Sequence, residues 1–308
     1  MHTPLIFIVF NRPEVTARVF ARIREARPAT LYVICDGPRP HRPDDIPNVA
    51  AVRAIIEQGV DWDCDVIRDY ADTNLGCRHR VASGLTRAFA RLEHAIVLED
   101  DCLPDPGFFP YCGELLARYR DDPRVMHIAG TNFSAPVGAA PHGPGYRFSH
   151  HPWIWGWATW RRAWEQYDFG MATWDARFSA LRASFASPWE AQYWISTYDG
   201  ARSDLDRADT WGFPWMFTVR SLGGLSVLPT VNLVENIGIG ADSTHTKSDA
   251  AHLRIPASAA PLPLVCPAGR RVSRFADEHF TRVYCRHTGL RHAFSSLVRV
   301  WRASLRAA

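Results

Sequence analysis

Three purely apolar runs, residues 4–10 (PLIFIVF), 31–35 (LYVIC) and 95–98 (AIVL), each stop at an abrupt polar break. A strand with one wet face alternates apolar and polar residues; a run with no alternation belongs to a sheet covered on both sides. Between the runs the spacing turns helical. Asn11-Arg12-Pro13-Glu14 supplies a cap residue and a proline suited to a first turn, and Val15, Val19, Ile23 and Ala26 follow at near-helical intervals. Val81, Leu85, Phe89 and Leu92 make a second stripe, with Arg80, Arg87 and Arg91 on the other faces. A helix over 49–58, a strand over 65–68, a helix over 108–120 and a strand over 125–129 continue the pattern. The prediction is an α/β fold with a Rossmann-like, mostly parallel sheet and helices on both faces.

In such a sheet right-handed crossovers bring ligands to the carboxyl ends of the strands. Three polar strand ends therefore converge: Asn11-Arg12, Asp36-Gly37 and Glu99-Asp100-Asp101. A triplet of carboxylates at the exit of a buried strand suits a hard divalent cation, and Mg2+ or Mn2+ takes only one or two carboxylates. Side chains of successive residues diverge at a strand end, so one or two of the three reach the ion, Asp101 first and Asp100 second.

The rest of the composition excludes several classes. With 308 residues, 47% hydrophobic and 22% charged, the chain is an ordinary globular one. Its net charge of +3 is too small to announce nucleic acid, although arginine far outnumbers lysine and guanidinium forks suit phosphate. An anionic small molecule fits better. Seven cysteines without a CxxC pair suggest neither a disulfide framework nor a zinc knuckle. The early apolar run falls far short of the roughly 20 residues of a membrane span and no signal pattern precedes it, so a cytoplasmic protein is expected.

Beyond residue 133 the texture changes. Residues 134–150 read as loop, and the following half reads as shorter helices and antiparallel pieces. Ten of the twelve tryptophans crowd into residues 153–215. They either fill a core or form a platform on which sugar rings stack. A Pro/Ala-rich stretch at 256–269 precedes a tail whose last helix, His292 to Arg306, carries Phe294, Leu297, Val298, Trp301 and Leu305 on one face.

FNRP at 10–13, CDG at 35–37, and VLEDD followed by DPGFFPY at 97–111 stand in an order and spacing that resembles the GT-A type of nucleotide-sugar glycosyltransferase. The likeness is to the inverting N-acetylglucosaminyltransferase I family and to bacterial relatives in which an acidic triplet replaces a plain DxD. It covers about residues 4–132 and is fainter beyond. The resemblance implies Arg12, with Asn11, near the nucleotide diphosphate, Asp36 on the uracil, Glu99 and Asp100 near the sugar and ribose, and Asp101 on Mn2+ or Mg2+. It divides the chain into a nucleotide-sugar-binding half (1–133), a Trp-rich, mixed acceptor-side half (134–255) and a C-terminal tail (256–308). Each residue also has a plainer reading: Asp36 as part of an Asp-Gly-Pro turn, Arg12 as a surface arginine.

Asn74-Leu75-Gly76-Cys77-Arg78 lies where such folds carry a loop toward the donor, with Asn74 and Arg78 as binding candidates or, alternatively, as parts of a capped helix. An inverting transfer needs a general base. Asp209, before an aromatic-rich segment, resembles the family's acidic residue, with helix capping as its competing role. His245, in a glycine-rich stretch at 235–246, is a second metal ligand or phosphate donor by analogy with late histidines of GT-A enzymes, or a loop histidine. Trp155 and Trp157 wall the sugar or acceptor pocket, or belong to the core. The adjacent His150 and His151 lack the spacing of a closed zinc site.

The function expected is metal-dependent transfer, inverting in mechanism, from a UDP-sugar such as UDP-N-acetylglucosamine to a glycan or lipid-linked acceptor in bacterial surface polysaccharide biosynthesis. The basic terminal helix could contact the inner membrane peripherally, or dock on the core. A non-catalytic glycan-binding protein with a structural cation site is the alternative from another class.

Overall fold

The computed structural model describes residues 1–133, 145–238, 255–260, 262–272, 277–279 and 281–282. The first half runs β1 (Leu5–Val9), α1 (Pro13–Ala26), β2 (Thr30–Cys35), α2 (Asp45–Gly59), β3 (Asp65–Tyr70), α3 (Cys77–Arg91) and β4 (His94–Glu99). A short β5 (Cys102–Pro104), α4 (Phe108–Arg118) and β6 (Val125–Ala129) complete it. The second half adds β7 (Tyr146–Ser149), β8 (Trp157–Trp160), α5 (Arg161–Trp164), α6 (Trp174–Ala183), α7 (Pro188–Arg202), α8 (Leu205–Ala208), α9 (Gly212–Ser221), β9 (Leu225–Pro229) and β10 (Val234–Asn236).

Eight strands form one sheet in the order β3-β2-β1-β4-β8-β6-β9-β7, and β10 pairs with β5 in a separate ribbon. β3, β2, β1 and β4 are mutually parallel; β8 runs against β4 and β6, β9 runs with β6, and β7 closes the sheet antiparallel to β9. The sheet is therefore mostly parallel and continuous through both halves of the chain.

The apolar runs are buried on both faces, as their lack of alternation requires. Leu5, Phe7, Val9, Leu31, Val33, Ile96 and Leu98 enter one core with α1, α2 and α4. Their neighbours Ile6, Ile8, Tyr32, Ile34, Ala95 and Val97 enter a second core with Val81, Leu85 and Phe89 of α3. α1 starts with Pro13 in its first turn, and its buried stripe is Thr16, Val19, Phe20 and Ile23.

Two expectations need correction. Tyr146–Ser149 is a strand inside the stretch read as loop. The second half is also not made only of short helices, because α7 has 15 residues, as many as α2 and α3. α6, α7 and α9 enclose a third apolar core around Trp174, Trp194, Tyr198 and Phe217. Here apolar side chains come from several elements at once, so no single helix carries a clean stripe.

Candidate active site

The three strand ends meet at the carboxyl edge of the parallel strands. β1 leads to Arg12, β2 to Asp36 and β4 to the Glu99-Asp100-Asp101 triplet, and the parallel registers of β1 with β2 and with β4 set them side by side. The Arg12 guanidinium ties two of the carboxylates: Nη2 donates to Oδ1 of Asp100 and, at 3.0 Å, to Oδ2 of Asp101. Burial lowers the arginine's pKa, but the charges of Asp100 and Asp101 outweigh it and hold the group firmly protonated.

The triplet itself is unequal. Burial raises the pKa of Asp100 despite the opposing charge of Arg12. Burial, with the charges of Asp101 and Asp100, raises that of Glu99. The Glu99 carboxylate has no hydrogen-bond or ion-pair partner among the described residues, whereas Asp100 and Asp101 each give an oxygen to Arg12. The β5–β10 ribbon closes over this cluster: the Ile237 amide donates to the Asp101 carbonyl at 2.9 Å. A Cβ on Gly238 would lie 2.7 Å from both Asp101 Cβ and Arg12 Nη1, so a larger residue there must displace Asp101 or Arg12.

Asp36 sits differently from its expected role. Its Oδ1 accepts from the amides of Gly37 (2.9 Å) and Leu75 (3.0 Å), and its Oδ2 from the Gly76 amide (3.1 Å) and Asn74 Nδ2 (3.0 Å). The carboxylate thus anchors the 74–76 loop, and burial raises its pKa against those amide donors. Gly37 makes the anchoring possible, because a Cβ there would lie 2.6 Å from the Thr73 backbone nitrogen. The turn reading of Asp36 and the loop reading of Asn74 belong together, which spacing alone did not reveal. Asn11 is likewise committed, its Nδ2 donating to Asp45 at 2.6 Å.

From the second half comes Asp209, whose Oδ1 accepts from the Arg78 amide at 2.9 Å and whose Oδ2 accepts from the Cys77 amide at 3.2 Å. It caps α3, whose own N-cap residue, Gly76, has no side chain to do so. Helix capping was the competing role, but the helix capped is the distant α3 and not α9, which follows Asp209 in the chain. The cap sits in the same neighbourhood as the triplet: burial raises the Cys77 thiol's pKa, with further contributions from Glu99, Asp209, Asp36 and Asp100.

Two side chains expected in the site, those of Arg78 and Trp157, are engaged elsewhere. Arg78 stacks over the Phe169 ring at 4.0 Å and donates to Asp206 at 2.7 Å, so its charge is spent away from the triplet. Arg80 is buried against the Cys35 carbonyl and Asp69. Trp157 is fully buried in β8, stacked on Trp211 and His127, and it is a core residue rather than a pocket wall. A strand residue between two covered faces has no route to a ligand.

The crowd of tryptophans follows the same rule: eight of the ten in residues 153–215 are buried, and only Trp155 and Trp189 are more open. The sugar-platform reading of the cluster as a whole is thereby corrected. Trp155 remains half-buried, edge-on to Phe133 with centroids 5.1 Å apart. His151 is buried against Glu190 at 3.0 Å and His150 faces the Gly224 carbonyl, which is structural use. His245 and the terminal helix lie outside the described residues.

Among the described residues no three His, Cys, Asp or Glu side chains form a ready cation cage. The donor set nonetheless fits a cation held by one or two carboxylates. Asp101 keeps Oδ1 clear of Arg12, with only the Cys102 thiol at 3.6 Å, and its side chain is 16% exposed.

No protein-family model matches the chain, and no curated protein matches it. Among solved structures it is similar to a galactosyltransferase LgtC in complex with donor and acceptor sugar analogs, at 12% identity over 91% of this chain and 94% of that one, with a TM-score of 0.38. An active-site mutant of LgtC is similar at 13% identity over 92% and 95%, also with a TM-score of 0.38.

Proposed function

We propose that the chain is a metal-dependent glycosyltransferase of GT-A type that uses a UDP-sugar. The observation that carries this reading is the meeting of Arg12, the acidic triplet and the Asp36-anchored loop at one edge of a parallel sheet, the edge where such sheets bind nucleotides. Arg12 stands directly before the first turn of α1, so its charge adds to the anion preference of that helix end.

Asp101 would hold Mn2+ or Mg2+, with Asp100 beside it. Such an ion, when bound, neutralises charge on a departing diphosphate. Arg12 orients the diphosphate, and Glu99, the one carboxylate of the triplet without a partner, accepts from sugar hydroxyls. After capping α3, each Asp209 oxygen retains a lone pair, and Asp209 is the proposed proton acceptor for an inverting transfer. The half-buried Trp155 is the proposed wall of the sugar or acceptor pocket. N-acetylglucosamine as the donor sugar, a glycan or lipid-linked acceptor and a place in bacterial surface-polysaccharide assembly rest on the motif resemblance.

The test is calorimetric titration with UDP, with and without Mn2+. Binding that requires the metal and disappears in Asp101→Ala supports the reading, and equal binding without metal removes the metal role. Released nucleotide from a panel of UDP- and GDP-sugars then identifies the donor. Burial of most of the tryptophans weighs against the non-catalytic glycan-binding alternative, which predicts oligosaccharide binding with no UDP affinity.

A further inference from the structure

If Asp36 is saturated, another group must read the nucleobase. The Asp36 carboxylate receives the Gly37, Leu75 and Gly76 amides together with Asn74 Nδ2, and these four donors leave no in-plane lone pair for a base. The same network fixes the Asn74 amide. Its Nδ2 donates to two acceptors at once, Asp36 Oδ2 and the Gly37 carbonyl, both at 3.0 Å. The opposite assignment would set an amide oxygen against two other oxygens, so Oδ1 must be the atom turned away from Asp36. That oxygen has no partner among the described residues, and it is not among their sealed, unpaired polar atoms. Beside it, Leu75 is 47% exposed, an apolar surface on which a flat ring can rest.

Position agrees with chemistry. From the triplet at the end of β4 the sheet edge runs through β1 to β2, where the 74–76 loop is anchored. Two strand spacings amount to about 10 Å, a span suited to a ribose and two phosphates. We propose that Asn74 Oδ1 accepts the imide N–H of a uracil lying on Leu75, so that Asn74, positioned by Asp36, is the residue that selects the nucleobase. A base with an acceptor at that ring position, such as cytosine, faces Oδ1 with a lone pair and is rejected.

This inference rests on the nucleotide-sugar reading, and the experiment separates the two. Calorimetry with Mn2+ compares UDP, CDP and N3-methyl-UDP on the wild-type chain and on Asn74→Ala. On the wild type, CDP and N3-methyl-UDP should bind at least about tenfold more weakly than UDP, and in Asn74→Ala that ratio should fall below about threefold. A ratio unchanged by Asn74→Ala overturns the assignment while leaving the glycosyltransferase reading intact. Equal affinity of the wild type for UDP and N3-methyl-UDP overturns it without recourse to any variant. Absence of all nucleotide binding by the wild type overturns the underlying reading and the inference with it.

Discussion

Replacing Asp209 by alanine separates the two roles open to that residue. Its carboxylate accepts the Cys77 and Arg78 amides at 3.2 and 2.9 Å, and α3 has no other side-chain cap. Loss of a capping side chain costs about 0.5–2 kcal/mol. Removing a negative charge from a helix amino end adds about 0.3–1 kcal/mol. Asp209→Ala should therefore destabilise the protein by about 1–3 kcal/mol in urea unfolding. Asp209→Asn keeps one amide acceptor and tolerates the left-handed backbone at this position (φ 39°), so its loss should be smaller. The two variants should rank in that order. An Asp209→Ala protein whose stability stays within about 0.5 kcal/mol of wild type refutes the capping argument. If such a protein also bound UDP normally but transferred no sugar, a purely catalytic role would follow.

Trp157→Ala should cost about 3–5 kcal/mol in unfolding free energy because the ring is fully buried against Trp211 and His127, whereas Trp155→Ala should cost less and act on acceptor or sugar affinity. Gly238→Ala should weaken metal-dependent UDP binding, since the added methyl must displace Arg12 or Asp101; titration of a folded variant with unchanged affinity would remove that constraint. In metal-free protein the raised pKa values of Glu99 and Asp100 mean that the folded state holds protons the unfolded chain has released. Stability should thus be greatest below the unfolded carboxylate range and fall as pH rises through the raised values, and Glu99→Gln should flatten that fall in a pH series of unfolding curves.

Much of the first half was legible in the residues themselves. An unalternating apolar run must be covered on both faces, so the parallel sheet and its strand ends followed from local pattern. The helix boundaries were less so: α2 begins at Asp45, four residues before its apolar spacing starts, because its first turn is fixed by the buried Asp45 carboxylate, bonded to Asn11 and Arg39, and not by an apolar stripe. Tyr146–Ser149 is a strand only because it pairs with β9 at the sheet edge. In the site, sequence brought Arg12 and the triplet together through topology alone.

The sequence by itself determined which residue types stand at the carboxyl edge of the sheet, because period and polarity act over a few neighbouring residues. Tertiary structure decided what each of them does. Asp36 and Asn74, 38 positions apart, are bound to each other, and Asp209 caps a helix 131 positions upstream. Arg78 turns to Phe169 and Asp206 rather than toward the triplet. Hydrogen bonds and ion pairs depend on distances of about 3 Å in space, and no local pattern encodes which distant partner will satisfy a given donor.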